Sequence, residues 1–247
     1  MLQRIFIDVV NMSLTASYVI AVVFAARILI KKAPKVFSYA LWSIALFRLL
    51  IPFSFESVAS LIPVSSTSVS QDIAYNRVPT INTGITVADN LINNVLPAPV
   101  NATSGANPIQ MLIFIGTIIW GCGILAMLVY FIFSFIKLKR SLIAARTLRD
   151  NIYLADHIPT PFVMGFLRPK IYLPSSLSQN EQEHIIRHEM CHIKRFDHIT
   201  RIVAFIALSI HWFNPFVWLA FVLSGKDMEM SCDEMVMKTM DSDIRTD

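Results

Sequence analysis

The chain has 247 residues, of which 55% are hydrophobic and only 15% are charged. Soluble globular domains are about half apolar and ~25% charged, so this chain has too little charge for a surface that meets water everywhere. Its net charge is only +4, and no basic cluster alternates with aromatic residues, which argues against a nucleic-acid partner. Three cysteines without regular spacing exclude a disulfide framework.

Three apolar segments in the first part of the chain predict membrane helices. Residues 9–26 contain no charge over 18 residues, which is long enough to cross a bilayer. Lysines follow this segment instead of preceding it, so we predict a retained anchor and not a cleaved signal peptide. A second segment covers residues 36–55 and is interrupted by Arg48, and a third covers 28 uncharged residues at 109–136. We therefore predict two transmembrane helices within residues 1–55 and a third at 109–136.

The charges between these segments predict how the chain is oriented. Lys31, Lys32 and Lys35 follow the first segment, and five basic residues lie within 137–149 after the third. Residues 56–108 are rich in Ser, Thr, Asn and Pro and carry three acidic residues against one arginine. Because basic loops remain on the cytoplasmic side, the N-terminus is expected outside and residues 56–108 form an extracellular loop. Everything after the third segment then begins in the cytoplasm.

Residues 150–201 have the composition of a soluble layer. Two short extended pieces flank Gly165, and the second, at 169–174, has proline at both ends, which predicts an edge strand. Residues 178–181 read SQNE, a capping-box pattern that begins a helix. This helix is expected to continue to about Arg195.

The predicted helix carries the motif HEMCH at residues 188–192. His188 and His192 are four residues apart, so they project from one helical face and can hold one metal ion. Catalytic zinc takes three protein ligands and keeps a fourth position open. Glu189 stands where it can take a proton from the attacking water and return it to the leaving amine. The motif predicts a zinc peptidase, although so short a pattern also occurs by chance on a structural surface helix.

A third histidine is one candidate for the remaining ligand. His198 occupies the last position of the longer pattern His-Glu-x-x-His-x-x-Gly-x-x-His. Arg195 replaces the glycine of that pattern, and arginine takes up left-handed backbone geometry poorly. His198 is therefore the weaker candidate, and Asp197 is expected to cap or orient a neighbour.

An acidic segment near the C-terminus supplies the better candidate. As a helix it places Glu229 and Asp233 on one face, one turn apart. We predict that Glu229 binds the metal and that Asp233 hydrogen-bonds a ligand histidine from the second layer of residues. Glu234 is expected to be solvated. Cys232 has the chemistry of a zinc ligand, but a packing role is favoured.

The fourth apolar segment decides whether Glu229 reaches the histidines. If residues 202–224 crossed the bilayer, Glu229 would emerge on the side opposite His188. The pair Asn214-Pro215 interrupts this segment, and proline breaks a helix at the preceding residue. We therefore predict an apolar hairpin of two short helices that returns to the cytoplasmic side.

Four stretches together resemble the BlaR/MecR-type regulatory membrane zinc metallopeptidases. They are HEMCHIKRFD at 188–197, PFxxGxxxPxIxLP at 161–174, WFNPFVW at 212–218 and DMExSCDE at 227–234. The resemblance covers most of the chain and is most specific between residues 160 and 236. It implies a zinc endopeptidase of the HExxH, gluzincin-like type.

The resemblance also implies roles for individual residues. His188, His192 and Glu229 would hold Zn²⁺, with Glu189 as the catalytic base. The expected fold is mainly α: a multi-pass protein of the bacterial plasma membrane with a cytoplasmic, zincin-like α+β metallopeptidase subdomain at 137–247, which includes the hairpin.

Members of known role in that family sense β-lactams through an extracellular C-terminal domain and cleave in the cytoplasm, which lifts repression of resistance genes. This sequence ends at Asp247. The expectation is therefore either the N-terminal part of a longer protein or a member without an antibiotic sensor, and β-lactam sensing is not expected from these residues. The expected partners are the lipid bilayer, a protein substrate (a transcriptional repressor or the chain itself) and a second copy in a homodimer.

Three other functions are alternatives to a regulatory zinc endopeptidase. An intramembrane protease would bury its zinc helix in lipid, but Arg187, Lys194, Arg195 and Asp197 flank this motif, and several charges at that depth are prohibitive. A quality-control membrane metallopeptidase would use the same metal chemistry. A non-catalytic signal transducer would keep zinc only for structure, and Glu189 would then be dispensable.

Overall fold

We describe the fold from a computed structural model of the chain. It describes residues 1–51, 69, 81, 86–95, 108–156 and 158–246. Two compact units divide the chain. The first unit contains Met1–Ile28, Leu41–Ala126 and Ala207–Ala220, and the second contains Leu29–Ala40, Met127–Ile206 and Phe221–Asp247.

The described residues are mainly helical, with one small sheet. The helices are α1 Leu2–Leu29, α2 Lys35–Leu50, α3 Thr86–Val95, α4 Pro108–Ser141, α5 Gln179–Lys194, α6 Asp197–Ile210 and α7 Pro215–Thr246. The strands are β1 Arg146–Arg149, β2 Ile152–Ala155, β3 Phe162–Met164 and β4 Lys170–Pro174. The predicted fold class, mainly α with a small α+β part, is confirmed at this level.

Two of the helices are long and apolar enough to cross a membrane. Among the described residues these are α1, with 28 residues, and α4, with 34. The second predicted span, 36–55, forms the 16-residue helix α2, and residues 52–55 lie outside the described part. Most of the predicted extracellular loop 56–108 also lies outside it, apart from α3 and the bridge between Val69 and Ile81.

In the first unit, the chain breaks between α6 and α7 at the Asn-Pro pair. α6 ends at Ile210 and α7 begins at Pro215, which tolerates the first helical position because proline has no N–H to leave unpaired. The side-chain oxygen of Asn214 accepts a hydrogen bond from the N–H of Phe216 at 2.9 Å and so caps α7. The indole N–H of Trp120 donates to the carbonyl of Ile210 at 2.9 Å. Side chains thus satisfy backbone groups that the break exposes.

The side-chain amide of Asn214 also fixes the break to α1. It donates to the hydroxyl of Ser13 at 2.7 Å and to the hydroxyl of Ser17 at 2.8 Å. α7 is longer than the short second arm that the sequence predicted, because it continues for 32 residues. The acidic segment at 227–234 therefore belongs to the same helix as that arm.

Gly123 permits a close approach of α4 to Trp212, and this predicts a loss of stability on substitution. A Cβ at Gly123 would lie 2.1 Å from the Trp212 ring, whose N–H is held by the carbonyl of Trp120 at 3.2 Å. Overpacking costs about 1–3 kcal/mol, against a gain of about 1 kcal/mol in helix propensity from Gly to Ala. We expect Gly123→Ala to lower the thermal unfolding midpoint in detergent. Gly121→Ala, with nothing within 4 Å, should leave it equal or higher.

The sheet lies in the second unit, with the order β1-β2-β4-β3. β2 and β4 are parallel, whereas β1 and β3 pair antiparallel with their neighbours. The strand predicted at 169–174 is therefore not an edge strand, because β4 lies between β2 and β3. The edges are β1 and β3. Prolines at 169 and 174 stand outside or at the end of β4, where they remove no hydrogen bond from the middle of the ladder.

Two tight turns connect the strands. Asp150, between β1 and β2, has a φ of 42°, a conformation that aspartate tolerates better than most residues. Gly165, between β3 and β4, has a φ of 122°, and a Cβ there would lie 2.5 Å from the carbonyl oxygen of Arg168. The predicted pair of extended pieces around a glycine turn is confirmed.

The sheet packs one face against α5. The buried core between them consists of Ile152, Ile171, Leu173 and Ile186. Ile171 and Leu173 alternate with Tyr172 along β4, so Tyr172 projects from the opposite face. There its ring stacks with Tyr153 at 5.3 Å and Phe162 at 5.6 Å. The apolar face of the sheet thus holds the helix that carries the HEMCH motif.

Candidate active site

α5 positions the motif, and both of its ends follow local sequence rules. The helix begins at Gln179, after Ser178, whose N–H and hydroxyl donate to the Glu181 carboxylate at 2.8 and 2.6 Å. It ends at Lys194 with Arg195 as its C-cap. The predicted capping box and the predicted extent of the helix are confirmed.

Three side-chain atoms converge next to α5. The Nε2 atoms of His188 and His192 are 3.1 Å apart. One carboxylate oxygen of Glu229, from α7, lies 3.5 Å from the first and 3.3 Å from the second. The structure thus brings together the three residues that the sequence singled out as metal ligands, although Glu229 lies 37 positions after His192 in the chain.

The size of this triangle fits a tetrahedral zinc ion. Zinc binds imidazole nitrogen and carboxylate oxygen at about 2.0–2.1 Å, so two tetrahedral ligands stand about 3.3 Å apart. The three edges of the triangle are 3.1, 3.3 and 3.5 Å. The donor set of two imidazoles and one carboxylate is also one that zinc accepts.

A carboxylate contacts the Nδ1 atom of each histidine. Asp197 Oδ2 lies 2.7 Å from Nδ1 of His192, and Asp233 Oδ1 lies 3.2 Å from Nδ1 of His188. A carboxylate at Nδ1 keeps the proton on that nitrogen, so that Nε2 faces the metal position. The structure thus places Asp233 beside His188 and Asp197 beside His192, each within hydrogen-bonding distance of the ring.

An arginine that the sequence reasoning missed holds Glu229. Arg201, on α6, forms an ion pair with Oε1 of Glu229, the oxygen that does not face the histidines. Arg201 thereby leaves Oε2 as the oxygen available to a metal ion. Its spacing of four from Asp197 puts both residues on one face of α6, a signal that could have identified Arg201 from the sequence.

Cys232 packs in a buried cluster with Cys191 and Val236 and also lies close to the two histidines. Its sulfur and the imidazoles of His188 and His192 offer ligand atoms that all lie within 4.8 Å of one another. The thiol is fully buried and donates to the carbonyl oxygen of His188 at 3.4 Å. The nearest Glu229 oxygen is 3.3–3.5 Å from the histidine nitrogens, which is the spacing that a third tetrahedral ligand would need.

The longer three-histidine pattern is not formed. Arg195 has right-handed helical geometry, with a φ of −88°, and the left-handed residue is Phe196, with a φ of 58°. The chain therefore turns one residue later than that pattern requires and starts α6 at Asp197. Among the described residues, His198 is not part of the clustered ligands.

Burial and hydrogen bonds shift the pKa values of several groups in the site. Burial raises the pKa of Glu189, which is only 8% exposed. A hydrogen bond with Glu229 raises the pKa of His188, and hydrogen bonds from both histidines lower the pKa of Glu229. Burial lowers the pKa of His192, but hydrogen bonds, first of all with Asp197, outweigh it and raise the pKa to about 12. A Glu189 carboxylate with a raised pKa is a better proton acceptor than an exposed one.

Glu234 differs from its predicted solvated state. Its carboxylate accepts a hydrogen bond of 2.8 Å from the backbone N–H of Lys35, the first residue of α2. That N–H has no partner within its own helix, so Glu234 caps α2 from α7. The sequence pattern gave no indication of this contact, because the two residues are 199 positions apart.

A family model described as BlaR1 peptidase M56 matches residues 7–247. The chain belongs to this family. The resemblance to the BlaR/MecR type is thereby confirmed, and the BlaR1 peptidase M56 family is a family of peptidases.

Individual relatives are more distant. The methicillin resistance mecR1 proteins of Staphylococcus aureus and Staphylococcus epidermidis are 26% identical to this chain over an alignment of 252 positions. Each alignment covers 90% of this chain and 41% of the relative. The regulatory protein BlaR1 of Bacillus licheniformis is 34% identical over 90 residues, or 35% of this chain and 15% of that protein. The chain thus spans less than half the length of these members of the BlaR1 peptidase M56 family.

Proposed function

We propose that the chain is a membrane-bound zinc endopeptidase that cleaves peptide bonds on the cytoplasmic side, in regulatory signalling and with itself as one substrate. The observation that carries the proposal is the triangle of His188, His192 and Glu229, whose edges are 3.1–3.5 Å, with buried Glu189 beside it. A triangle supplies three ligands and leaves a fourth position for chemistry.

Each of these residues has a separate role in the proposed reaction. His188, His192 and Glu229 would hold the ion, and bound zinc supplies Lewis acidity that polarises a carbonyl group and makes water easier to deprotonate. Glu189 takes the proton from the attacking water and gives it to the leaving amine. Asp233 and Asp197 keep the imidazoles oriented, at 3.2 and 2.7 Å from their Nδ1 atoms.

Attachment to a membrane is supported by the surface of the long helices. No residue of the most apolar window of α4 is buried within the structure, and that window is as hydrophobic as a membrane span. A monomeric soluble protein rarely exposes so large an apolar surface. We propose that lipid covers this apolar surface of α4. The basic residues at 137–149 support a cytoplasmic location for the end of α4 and for the domain after it.

The free edge of β3 is the proposed place for the substrate backbone. β3 is an edge strand that packs next to α5, the helix that carries Glu189. An extended peptide can add to such an edge through main-chain hydrogen bonds. This contact would align a stretch of substrate chain beside the site, which suits an endopeptidase.

Regulatory signalling is the proposed context. The names of the relatives describe a regulatory protein and a methicillin resistance protein. For this chain we propose the same class of role, with a transcriptional repressor as the protein substrate besides the chain itself. A homodimer would allow one copy to cleave another.

One observation favours a second candidate function, a transducer that uses zinc only for structure. Structural zinc sites fill all four positions, usually with cysteine among them, and Cys232 lies within 4.8 Å of both histidine ligand atoms. Coordination by Cys232 would close the site. Replacement of Glu189 distinguishes the two functions, because an enzyme needs this side chain for cleavage and a structural zinc site does not.

Removal of the metal is the first test. We expect the detergent-purified chain to contain about one zinc ion and to cleave itself or an unfolded protein, as seen by mass spectrometry of the fragments. A chelator should stop cleavage, and added zinc should restore it. Cleavage that continues after the zinc has been removed, or a chain that takes up no zinc, would contradict the proposal.

Asp233→Asn should weaken zinc binding without abolishing it. The carboxylate lies 3.2 Å from Nδ1 of His188 and is not a ligand itself. Loss of an outer partner typically costs about 10- to 100-fold in metal affinity. Competition with a chromophoric chelator measures the change. Asp150→Asn, in the turn between β1 and β2, is the matched control and should bind zinc like wild type.

A further inference from the structure

The first turn of α2 contacts the residues behind the metal position. The hydroxyl of Tyr39 donates to Asp197 Oδ1 at 2.9 Å, while Asp197 Oδ2 lies 2.7 Å from Nδ1 of His192. Asp197 is only 1% exposed, so it depends on protein partners for its hydrogen bonds. A continuous chain of hydrogen bonds therefore runs from Tyr39 through Asp197 to a proposed zinc ligand.

Arg195 contacts both Tyr39 and Asp197. Its guanidinium lies 4.7 Å from the centre of the Tyr39 ring, and its Nε is 3.6 Å from Asp197 Oδ2. Its Nη1 donates to the hydroxyl of Ser231, on α7, at 3.1 Å. The aromatic ring of Tyr39 thus has a partner of its own, independent of its hydroxyl.

A second contact attaches the same turn of α2 to α7. The N–H of Lys35 donates to Glu234 at 2.8 Å, one turn before Tyr39. α7 also carries Glu229 and Asp233, which reach the two histidines. The turn 35–39 is therefore attached at one end to the helix of the third ligand and at the other to the partner of His192.

We propose that Tyr39 is a positioning residue for the metal site, acting on His192 through Asp197, and that the first turn of α2 couples this apolar segment to the site. The inference rests on the proposed function. A hydroxyl bonds a carboxylate only within about 2.5–3.0 Å, so a small displacement of α2 breaks the link. Asp197 then loses a donor that holds it, and the imidazole of His192 loses its fixed orientation. A stimulus that moves α2 would in this way alter metal binding.

Tyr39→Phe tests the hydroxyl alone, because the ring that stacks on Arg195 is kept. In the full detergent-purified chain we expect zinc affinity to fall about 3- to 10-fold, less than the 10- to 100-fold for direct partners of a ligand. Substituted cobalt(II) should show a changed visible spectrum, a signature that a merely structural role would not move. Tyr130→Phe, on an exposed part of α4, should match wild type in both measurements.

A double-mutant cycle tests the route through Asp197. Tyr39→Phe should add little to the loss caused by Asp197→Asn, because residues of one network are not additive. Additive losses would overturn the route. Glu234→Ala tests the attachment of α2 independently of Tyr39, and it should shift the cobalt spectrum in the same direction; an unchanged spectrum would overturn the coupling.

The outcomes separate this inference from the proposed function. If the wild-type chain takes up no zinc, both are overturned. If wild type binds zinc and Tyr39→Phe equals it in affinity and in the cobalt spectrum, only the inference is overturned. If Tyr39→Phe weakens binding and changes the spectrum while Tyr130→Phe does neither, the inference stands.

Discussion

Glu189→Gln is expected to abolish peptide-bond cleavage and to leave zinc in place. The glutamine has nearly the same shape but cannot accept the proton, and general base catalysis contributes about 10²- to 10⁴-fold to rates. Zinc should stay bound, because His188, His192 and Glu229 form the triangle without Glu189. Cleavage rate and zinc content should be measured on the same preparation.

Glu183→Gln is the matched control, since Glu183 is an exposed residue of the same helix. It should cleave like wild type. If wild type and Glu189→Gln both hold zinc and neither cleaves, the result favours the transducer that uses zinc only for structure. Cleavage by Glu189→Gln at the wild-type rate would contradict the role of Glu189 as the base. Loss of zinc in that variant would mean that Glu189 contributes to binding, which our assignment excludes.

Glu229→Ala is expected to remove zinc from the chain. The substitution deletes one of three ligands and also leaves Arg201 without its carboxylate. The affinity loss should exceed the ~10- to 100-fold cost of losing an outer partner. Equilibrium dialysis followed by metal analysis measures it, with Glu183→Ala as the matched control.

Cys232→Ser completes this experiment. Our assignment predicts that it retains zinc, because the thiol is directed to the carbonyl oxygen of His188 at 3.4 Å. If Glu229→Ala keeps its zinc and Cys232→Ser loses it, the third ligand is the thiolate, and the site is built differently from our account.

The helix that carries the motif could be predicted because its signals are local. The capping box at 178–181 sets its start, and the spacing of four between His188 and His192 sets their common face. The expectation that Glu229 reaches the histidines depended on one further inference, a helix break at Asn214-Pro215. The structure separates α6 from α7 at this pair.

The parts that the sequence did not reveal depend on contacts between distant residues. β4 was expected at an edge because prolines flank it, but its place between β2 and β3 is decided by a parallel pairing with β2. A periodicity along one strand carries no information about its neighbours. The cap of Glu234 on Lys35 and the bond from Tyr39 to Asp197 join residues 199 and 158 positions apart, for the same reason.

Helix length was also underestimated at the C-terminal side. The change from the apolar segment to charged residues near Lys226 resembled an element boundary, yet α7 runs through it from Pro215 to Thr246. A change in composition along a helix reflects a change of surroundings and not an end of the helix, which requires capping or a helix breaker. Gly225 alone did not end this one.

X-ray absorption at the zinc edge of the loaded, detergent-purified chain tests the central claim most directly. Our account predicts nitrogen and oxygen neighbours at about 2.0–2.1 Å, including the outer-shell pattern of two imidazoles from His188 and His192. It predicts no sulfur neighbour. A sulfur shell at about 2.3 Å would contradict it, because Cys232 would then bind the metal and complete a closed site.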